Sequence, residues 1–229
     1  MRILAVADEP VLEDPRAIRR IDPDLVVACG DLPFDYLEFL EDCTDVPLLY
    51  VPGNHDPDLK PGDQSVPVGV VAGLVQRAAP PGPPGCTNVD GKTVGAAGLW
   101  VGGLGGSVRY REGPNQYSQR RMRRRAVGLA ARTLLRRPRR RLDLLLTHAP
   151  PFGLGDDDDP PHVGFTAFHR LTILLGPTYL IHGHVHPYGP PRPDRAIGET
   201  TVVNAAGFRV LEMDARPEQR RRGAPVGEP

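Results

Sequence analysis

Short apolar runs recur along the chain, and each one stops at residues whose side chains can bind a metal ion. The runs cover residues 3–7, 25–29, 47–51, 142–146 and 179–181. Continuous apolar runs of this length predict strands that are buried on both faces, as the strands of a parallel sheet are. Helix-like stretches lie between the runs, so the alternation restricts the chain to the α/β fold class.

Four stretches predict helices, at residues 15–20, 34–42, 117–137 and 164–175. The last one is amphipathic, because Phe168, Leu171 and Leu175 recur at helical spacing. Gly176, followed by a proline, is a typical end for such a helix. These helices are expected to lie on the predicted sheet.

The remaining segments predict further strands and a tail. A meander of strands is expected over residues 88–103, and two final strands over residues 200–205 and 208–213. The sequence beyond them is rich in arginine, proline and glycine, a composition typical of disorder. We therefore predict one domain over residues 1–213 and a disordered tail over residues 214–229.

The residues that follow the five apolar runs carry oxygen and imidazole donors. In chain order they are Asp8, Gly30-Asp31, Gly53-Asn54-His55-Asp56, Thr147-His148 and His182-Gly183-His184-Val185-His186. Groups beyond the carboxyl ends of strands in an open α/β sheet meet in one crevice. Oxygen and nitrogen donors without thiolates suit Mn, Fe or Zn and argue against a structural zinc site. The five motifs together predict a metal centre.

In this order the motifs resemble those of the calcineurin-like metallophosphoesterase superfamily. Gly53-Asn54-His55-Asp56 and Gly183-His184-Val185-His186 are the most specific pair, and the resemblance spans residues 1–213. It implies a four-layer α-β-β-α sandwich with a site for two divalent metal ions, Mn, Fe or Zn. It also implies hydrolysis of phosphoester bonds by a metal-bound hydroxide.

The resemblance assigns a role to each motif position. It places Asp8 and His186 on the first metal, Asn54, His148 and His184 on the second, and Asp31 on both. His55 is implied to stabilise the transition state or to protonate the leaving oxygen, with Asp56 orienting it. Two ions roughly 3.5–4 Å apart can clamp the attacking and leaving oxygens of a displacement at phosphorus, which agrees with these roles.

One motif departs from the family pattern. Where the family has Asp-x-His, the chain reads Asp8-Glu9-Pro10, and proline has no ligating atom. The first metal would lack one of its expected ligands, so its site is expected to be the weaker of the two. Alternation along a strand would direct Glu9 away from Asp8, which argues against Glu9 as a replacement ligand.

Further residues near these motifs are candidates for other roles. Arg109 and Tyr110 follow a glycine-rich turn, and either could contact the substrate, since arginine pairs well with phosphate oxygens. His162 is a candidate substrate contact, whereas His182 ends a buried strand and is interpreted as structural. The acidic run at residues 156–159 is interpreted as solvated, because four anions near the site would repel an anionic substrate.

Several activities are compatible with the sequence. The resemblance favours a phosphodiesterase slightly over a phosphomonoesterase, because similar small bacterial members without a long cap include diesterases. The alternatives are a broad phosphomonoesterase, a nuclease, and a non-catalytic scaffold like the phosphoesterase-like subunit of the retromer coat. The histidine lost at Pro10 keeps the scaffold hypothesis open.

An arginine cluster is the candidate surface for nucleic acid. From Arg120 to Arg141 the chain holds 11 arginines and no acidic residue, while the apolar stripe of the same predicted helix faces inward. A solvated helix face is the simpler interpretation. Contacts with RNA or DNA phosphates are the alternative, and they would make binding strongly salt-dependent. A small phosphoester is therefore the favoured substrate.

The composition of the whole chain adds several exclusions. The 28 basic residues balance the 28 acidic ones, so no net field attracts nucleic acid or anionic lipid. No apolar run approaches the ~18 residues needed to cross a bilayer, and the first run is too short for a signal peptide. Three cysteines, without metal-binding spacing, are typical of a reducing compartment. We expect a cytoplasmic protein without membrane contact, and the oligomeric state is left open.

Overall fold

The computed structural model of the protein describes residues 1–58, 70–71, 74–75, 82–136, 141–186 and 193–214. The helices are α1 (Pro15–Ile21), α2 (Phe34–Thr44), α3 (Gln119–Arg136) and α4 (Ala167–Leu175). The first strands are β1 (Arg2–Ala7), β2 (Leu25–Ala28), β3 (Leu48–Tyr50), β4 (Val70–Val71), β5 (Leu74–Val75), β6 (Cys86–Asn88) and β7 (Thr93–Ala96). The later strands are β8 (Leu99–Leu104), β9 (Ser107–Val108), β10 (Gln116–Tyr117), β11 (Leu144–Thr147), β12 (Tyr179–His182), β13 (Arg195–Ile197), β14 (Thr200–Asn204) and β15 (Gly207–Glu212). The four predicted helices and five predicted strands are confirmed.

Two mixed sheets form the centre of the fold. The first has the order β15-β1-β2-β3-β6 and is parallel except for β15. The second has the order β13-β14-β12-β11-β8-β7, with parallel strands at its centre and an antiparallel strand at each edge. Two short pairs, β4 with β5 and β9 with β10, lie outside these sheets.

The two sheets pack face to face. Successive side chains of each strand point to opposite faces, so each sheet packs one face against the other sheet and the opposite face against helices. In β1, Ile3 belongs to a core shared with Leu144 of the second sheet, whereas Leu4 packs with α1 and α2. Met122 of α3 and Phe168 of α4 cover the outer face of the second sheet. The layers therefore follow the order α-β-β-α, which confirms the predicted sandwich.

The predicted meander over residues 88–103 is found as one antiparallel pair, and the strand that ends at its first residue belongs to the other sheet. β6 pairs with β3 in the first sheet, whereas β7 and β8 form an antiparallel pair in the second. Between them the side-chain oxygen of Asn88 accepts a hydrogen bond of 2.8 Å from the amide of Asp90, which turns the chain away from the first sheet. The two final strands are likewise divided, with β14 beside β12 and β15 beside β1.

Some predictions fall on residues that the structure does not describe. The predicted tail lies outside the described residues except for Asp214, and residues 137–140 of the arginine cluster lie outside them too. The domain boundary at residue 213 stays a prediction. Among the helices that the structure describes, none combines the length and the apolar character needed to cross a bilayer.

Candidate metal centre

The carboxyl ends of β1, β2, β3, β11 and β12 meet at one edge of the sandwich, and a predicted motif follows each of them. The motifs surround a cavity of about 240 Å³. Its lining residues are Asp8, Asp31, Asn54, His55, Tyr110, Pro161, His162, His184 and His186. His148 is fully buried against Asp31 and Asn54. The structure therefore brings all six predicted metal-binding side chains to one place.

His148 is oriented with one ring nitrogen toward the other donors. Its Nδ1 donates a hydrogen bond of 2.8 Å to the carbonyl oxygen of Cys29, since that carbonyl can only accept. Nε2 then lies 3.0 Å from Oδ1 of Asn54 and 3.3 Å from Oδ2 of Asp31. Three potential ligand atoms thus converge, and once Nε2 loses its proton its lone pair is directed between the two oxygens.

His184 completes this group from the second sheet. Its Nε2 donates to the carbonyl oxygen of Pro161 at 2.7 Å, which leaves Nδ1 as the nitrogen available to a ligand. Ligand atoms of Asp31, His148 and His184 lie within 4.8 Å of one another. Donors about 2.1 Å from a shared ion lie ~3 Å apart, so these residues fit a metal ion after small adjustments. The set of oxygens and imidazoles also suits Mn, Fe or Zn.

The charges of the cluster depend on one another. Burial opposes a charge on His148, but the carboxylates of Asp31 and Asp8 outweigh it and raise the pKa of His148 to about 9. Burial raises the pKa of Asp8 to about 6, despite the nearby histidines. Burial also favours a higher pKa for Asp31, but the positive charge of His148 and its hydrogen bond outweigh burial, so the pKa of Asp31 is lowered. A metal ion bound here would take the place of the His148 proton.

We expect the metal-free protein to lose stability between pH 6.5 and pH 9. Because the folded state raises the pKa of His148 from 6.5 to about 9, it binds this proton more tightly than the unfolded chain does. The stabilisation is complete below pH 6.5 and disappears as the pH rises through 9, a loss on the order of 3 kcal/mol. Urea unfolding of EDTA-treated protein across this range measures the loss.

Saturating Mn²⁺ serves as the control for this titration, because a bound ion replaces the proton and should flatten the profile. The raised pKa of Asp8, about 6, acts below this pH window and does not disturb the comparison. A metal-free protein that is equally stable at pH 6.5 and pH 9 would contradict the prediction.

The turns that carry the ligands adopt unusual backbone conformations. Asp8, Asp31 and His184 have φ angles of 65°, 55° and 70°, in the left-handed region that residues other than glycine seldom occupy. Each such residue costs about 1–2 kcal/mol, and conformations of this kind cluster at functional sites. The turns are also in close contact, since a Cβ atom on Gly30 would lie 2.4 Å from the amide nitrogen of Gly53.

Asp56 holds two of these turns together. Its Oδ2 accepts hydrogen bonds from the amides of Gly53, at 2.7 Å, and Asp31, at 3.0 Å. Within the described residues no hydrogen bond joins Asp56 to the ring of His55. The contacts therefore differ from the expectation that Asp56 orients His55, and they give Asp56 the role of fixing the turn that presents Asp31.

His55 is exposed to solvent at the mouth of the cavity. Its amide donates to Oδ1 of Asp31 at 2.7 Å, so its backbone is tied to the proposed bridging carboxylate. Its Nδ1 lies 3.4 Å from Nη2 of Arg111, which can only donate. Nδ1 is then the acceptor, and the proton of the neutral ring is on Nε2.

The residues assigned to the first metal, Asp8 and His186, each have a polar partner within the protein. The carboxylate of Asp8 accepts the amide of His184 through both oxygens, at 3.1 and 2.9 Å. Oε1 of Glu9 lies 2.9 Å from Nδ1 of His186. Strand alternation does not apply to Glu9, because β1 ends at Ala7 and the positive φ of Asp8 turns the chain. The argument from alternation therefore fails, but the expectation that Glu9 is not a replacement ligand stays a prediction.

The other candidates divide between the cavity and the surface. Arg109 is exposed and is not among the described residues that line the cavity, whereas its neighbour Tyr110 lines it. The hydroxyl of Tyr110 accepts from Nδ2 of Asn54 at 3.5 Å, and Arg111 stacks 5.2 Å from the Tyr110 ring centre. Arg111 was not predicted from the sequence, where only its neighbours Arg109 and Tyr110 pointed to this position.

The loop after β11 also contributes to the cavity. His162 lines it, with Nδ1 2.7 Å from Oδ2 of Asp159 and its ring centre 5.3 Å from that of His184. Asp156 accepts the amide of Gly164 at 3.0 Å. The acidic run is therefore partly engaged in holding this loop, which differs from the interpretation of a solvated run. No sequence signal indicated that the carbonyl of Pro161, in the same loop, would hold His184.

His182 is confirmed as buried, and it is not among the described cavity-lining residues. Its Nδ1 lies 2.9 Å from the carbonyl oxygen of Gly183, and burial lowers its pKa to about 4. A neutral, buried ring with a backbone partner agrees with the structural role expected for it.

Comparison with protein families gives one match of wide extent. A sequence model described as calcineurin-like phosphoesterase matches residues 11–188, beginning directly after Pro10. No curated protein matches the chain at a significant level. The matched region includes the motifs that follow β2, β3, β11 and β12.

Solved structures resemble the chain at low sequence identity. TT1561 of Thermus thermophilus is 17% identical with a TM-score of 0.58, over 90% of this chain and 89% of that one. A second solved chain is 17% identical with a TM-score of 0.61, over 92% of this chain and 94% of the other. Wild-type Vps29 of Entamoeba histolytica, complexed with zinc, is 12% identical with a TM-score of 0.44, over 93% and 87% of the two chains. At these identities the first two support the fold alone, and the third is too distant to support an argument.

Proposed function

The chain belongs to the calcineurin-like phosphoesterase family, and from this premise we propose that it hydrolyses phosphodiesters, in preference to phosphomonoesters, with two divalent metal ions. The observation that carries the proposal is the convergence of Asp31, Asn54, His148 and His184 beside an open cavity. Hydrolysis of phosphoesters with metal ions is the family's general activity. The preference for diesters and the number of ions are the finer parts of the proposal.

Each proposed ion has its own set of residues. Asn54, His148 and His184 would hold the second ion, Asp8 and His186 would hold the first, and Asp31 would contact both. When bound, ions of this kind polarise the phosphoryl group and activate water. Asn54 contributes a neutral oxygen, which leaves the site more positive than a third carboxylate would and so favours an anionic ester. Mn, Fe and Zn all suit these donors.

His55 is proposed to stabilise the leaving oxygen in the transition state. It lines the cavity beside Asp31, and the guanidinium of Arg111 occupies its Nδ1. The N–H group at Nε2 is then available to donate a hydrogen bond to the oxygen that leaves, which offsets the negative charge that develops there. Arg111, stacked on Tyr110, adds a positive charge near the same position.

The limited number of side-chain cations supports a diester substrate. Among the arginines that the structure describes, Arg111 contacts the cavity-lining residue His55. A phosphodiester carries a single negative charge, so it needs fewer cations for binding than the dianion of a monoester. Similar small family members without a long cap include diesterases, which is an analogy in the same direction.

Assays with bis(p-nitrophenyl) phosphate and p-nitrophenyl phosphate test the activity and the preference. With Mn²⁺, Fe²⁺ or Zn²⁺ present, we expect hydrolysis of both and a higher kcat/KM for the diester. The His55→Ala variant should lose about 10²–10³-fold in kcat, the usual effect of removing one hydrogen-bond donor to the charge that develops in the transition state. His169→Ala is the matched control, because His169 lies outside the described cavity lining and bonds to the carbonyl of Phe152.

A non-catalytic scaffold predicts the opposite result. If the wild-type protein hydrolyses neither compound with any of these metals, and metal analysis finds no bound ion, the enzymatic proposal fails. A higher kcat/KM for the monoester would overturn the diester preference and leave the general activity in place.

The arginine cluster gives less support to a nucleic-acid substrate. Arg125 is engaged with Asp90 in an ion pair and lies 4.2 Å from the ring centre of Tyr117. The other described arginines of α3 are exposed; they are Arg120, Arg121, Arg123, Arg124, Arg132 and Arg136. This pattern agrees with a solvated helix face, and the aromatic platform on which bases would stack is limited to Tyr117 among the described residues of this face. A nuclease therefore stays the less favoured alternative.

A cytoplasmic location is part of the same proposal. Cys29, Cys43 and Cys86 are all free thiols, as expected in a reducing compartment. The proposed substrate is a small phosphoester.

A further inference from the structure

The segment after β1 is the place where the chain departs from its family. Asp8 carries a positive φ of 65°, the amide of Glu9 donates to the carbonyl of Ala7 at 2.6 Å, and the amide of Val11 donates to the carbonyl of Glu9 at 2.9 Å. Two successive tight turns therefore enclose Glu9. They redirect its side chain toward the segment after β12, which carries His186.

Glu9 contacts Nδ1 of His186, which leaves the other ring nitrogen, Nε2, available to the cavity. Oε1 of Glu9 lies 2.9 Å from Nδ1 of His186, and a carboxylate there favours the tautomer with a proton on Nδ1. Nε2 then carries the lone pair. His186 lines the cavity, whereas Glu9 is not among its described lining residues, so the carboxylate stands behind the ring.

Stability does not explain this contact. The side chain of Glu9 is 55% exposed and that of His186 is 39% exposed. Exposed pairs of this kind contribute only about 0–1 kcal/mol to folding, because water screens the charges. A carboxylate behind a metal-binding histidine, in contrast, fixes the orientation of the ring and strengthens it as a donor.

We propose that Glu9 is the residue that compensates for Pro10, by holding His186 in position for the first metal ion. Glu9 acts as a positioning residue: its carboxylate accepts the Nδ1 proton and keeps Nε2 directed at the cavity. The first site then consists of Asp8, Asp31 and His186, with Glu9 contributing negative charge from behind. The inference rests on the two-ion site of the proposed function. It predicts that binding of the first metal ion depends on Glu9 and that binding of the second metal ion does not.

Metal binding tests the proposal without any substrate. Mn²⁺ is titrated into EDTA-treated wild-type protein and into Glu9→Ala, and the free ion is measured by electron paramagnetic resonance. We expect two binding constants in the wild type. Glu9→Ala should weaken the lower-affinity site about 10–100-fold, the usual effect of removing such a partner, and leave the tighter site unchanged.

Two further variants separate positioning from other roles. Glu9→Gln keeps an oxygen that can accept the Nδ1 proton, so its loss of affinity should be smaller than that of Glu9→Ala; an equal loss in the two variants would overturn positioning through this hydrogen bond. Glu13→Gln is the matched control, because Glu13 is an exposed acid four positions along the chain and outside the described cavity lining. Thermal unfolding should be the same in all four proteins.

Wild-type constants in Glu9→Ala, or equal weakening of both sites, would overturn the proposal. The activity assay is separate from this measurement. A protein that binds two ions, loses the weaker one in Glu9→Ala and hydrolyses no phosphoester would refute the proposed function and support the role of Glu9.

Discussion

Replacing Asp31 with asparagine is expected to lower kcat/KM for phosphoester hydrolysis by about 10³-fold. Asp31 is the carboxylate proposed to contact both ions, whose contribution to the transition state is worth several kcal/mol, at about 1.4 kcal/mol for each factor of ten. Asparagine keeps an oxygen that can accept the His55 amide, now bonded to Oδ1 of Asp31 at 2.7 Å. The variant therefore removes the charge and preserves the turn.

Steady-state kinetics at saturating Mn²⁺, together with the ion content of the purified protein, measure this effect. Asp42→Asn provides the comparison, because Asp42 lies on α2 and does not belong to the described cavity lining. It removes the same charge and should leave kcat/KM unchanged. An Asp31→Asn protein that retains activity within tenfold of the wild type would exclude Asp31 as the bridging carboxylate.

Gly30→Ala should destabilise the protein by about 3–5 kcal/mol, more than most single substitutions do. Gly30 has a φ of 91°, and an added Cβ would lie 2.4 Å from the amide nitrogen of Gly53 and 2.8 Å from Nδ1 of His148. The first atom belongs to the backbone of the neighbouring turn, which cannot move without displacing Asn54 and His55. The substitution therefore forces apart the turns after β2 and β3.

Gly153→Ala separates the steric effect from the conformational one. Gly153 also has a positive φ, of 72°, but a Cβ there would meet nothing within 4 Å. It should cost only about 1–2 kcal/mol, the usual penalty of a left-handed residue. Urea unfolding of both variants gives the comparison, and equal losses would show that the close approach of the two turns contributes nothing.

The sequence predicted which side chains lie together in the metal centre, because their positions depend on where the strands end. A buried apolar run is visible in the sequence, and the residue after it must lie at the carboxyl edge of a sheet. Asp8, Asp31, His148 and His184 lie close together for this reason. The placement of β6 and β7 in different sheets was not predicted, because both sheets bury apolar residues and the sequence pattern does not identify the partner strand.

The contacts of Glu9 and Asp56 could not be predicted, because they depend on backbone angles inside turns. Strand alternation holds only while φ stays in the extended region, and the positive φ of Asp8 ends it one residue before Glu9. Asp56 is adjacent to His55 in sequence, yet its carboxylate contacts the amides of Gly53 and Asp31. The assignment of Asp56 to His55 came from the family resemblance, whereas the conformation of the turn directs its carboxylate to these two amides.

The pairing of β1 with β15 has a consequence for the order in which the fold is completed during synthesis. Arg2 pairs with Glu212 and Ala7 pairs with Gly207, so the first strand is covered on one side by residues made long after it. Until those residues have left the ribosome, β1 presents an open edge to other chains. Asp8, a proposed ligand of the first metal ion, directly follows this strand. The strand that carries it therefore keeps an unpaired edge in the nascent polypeptide until β15 emerges and pairs with it.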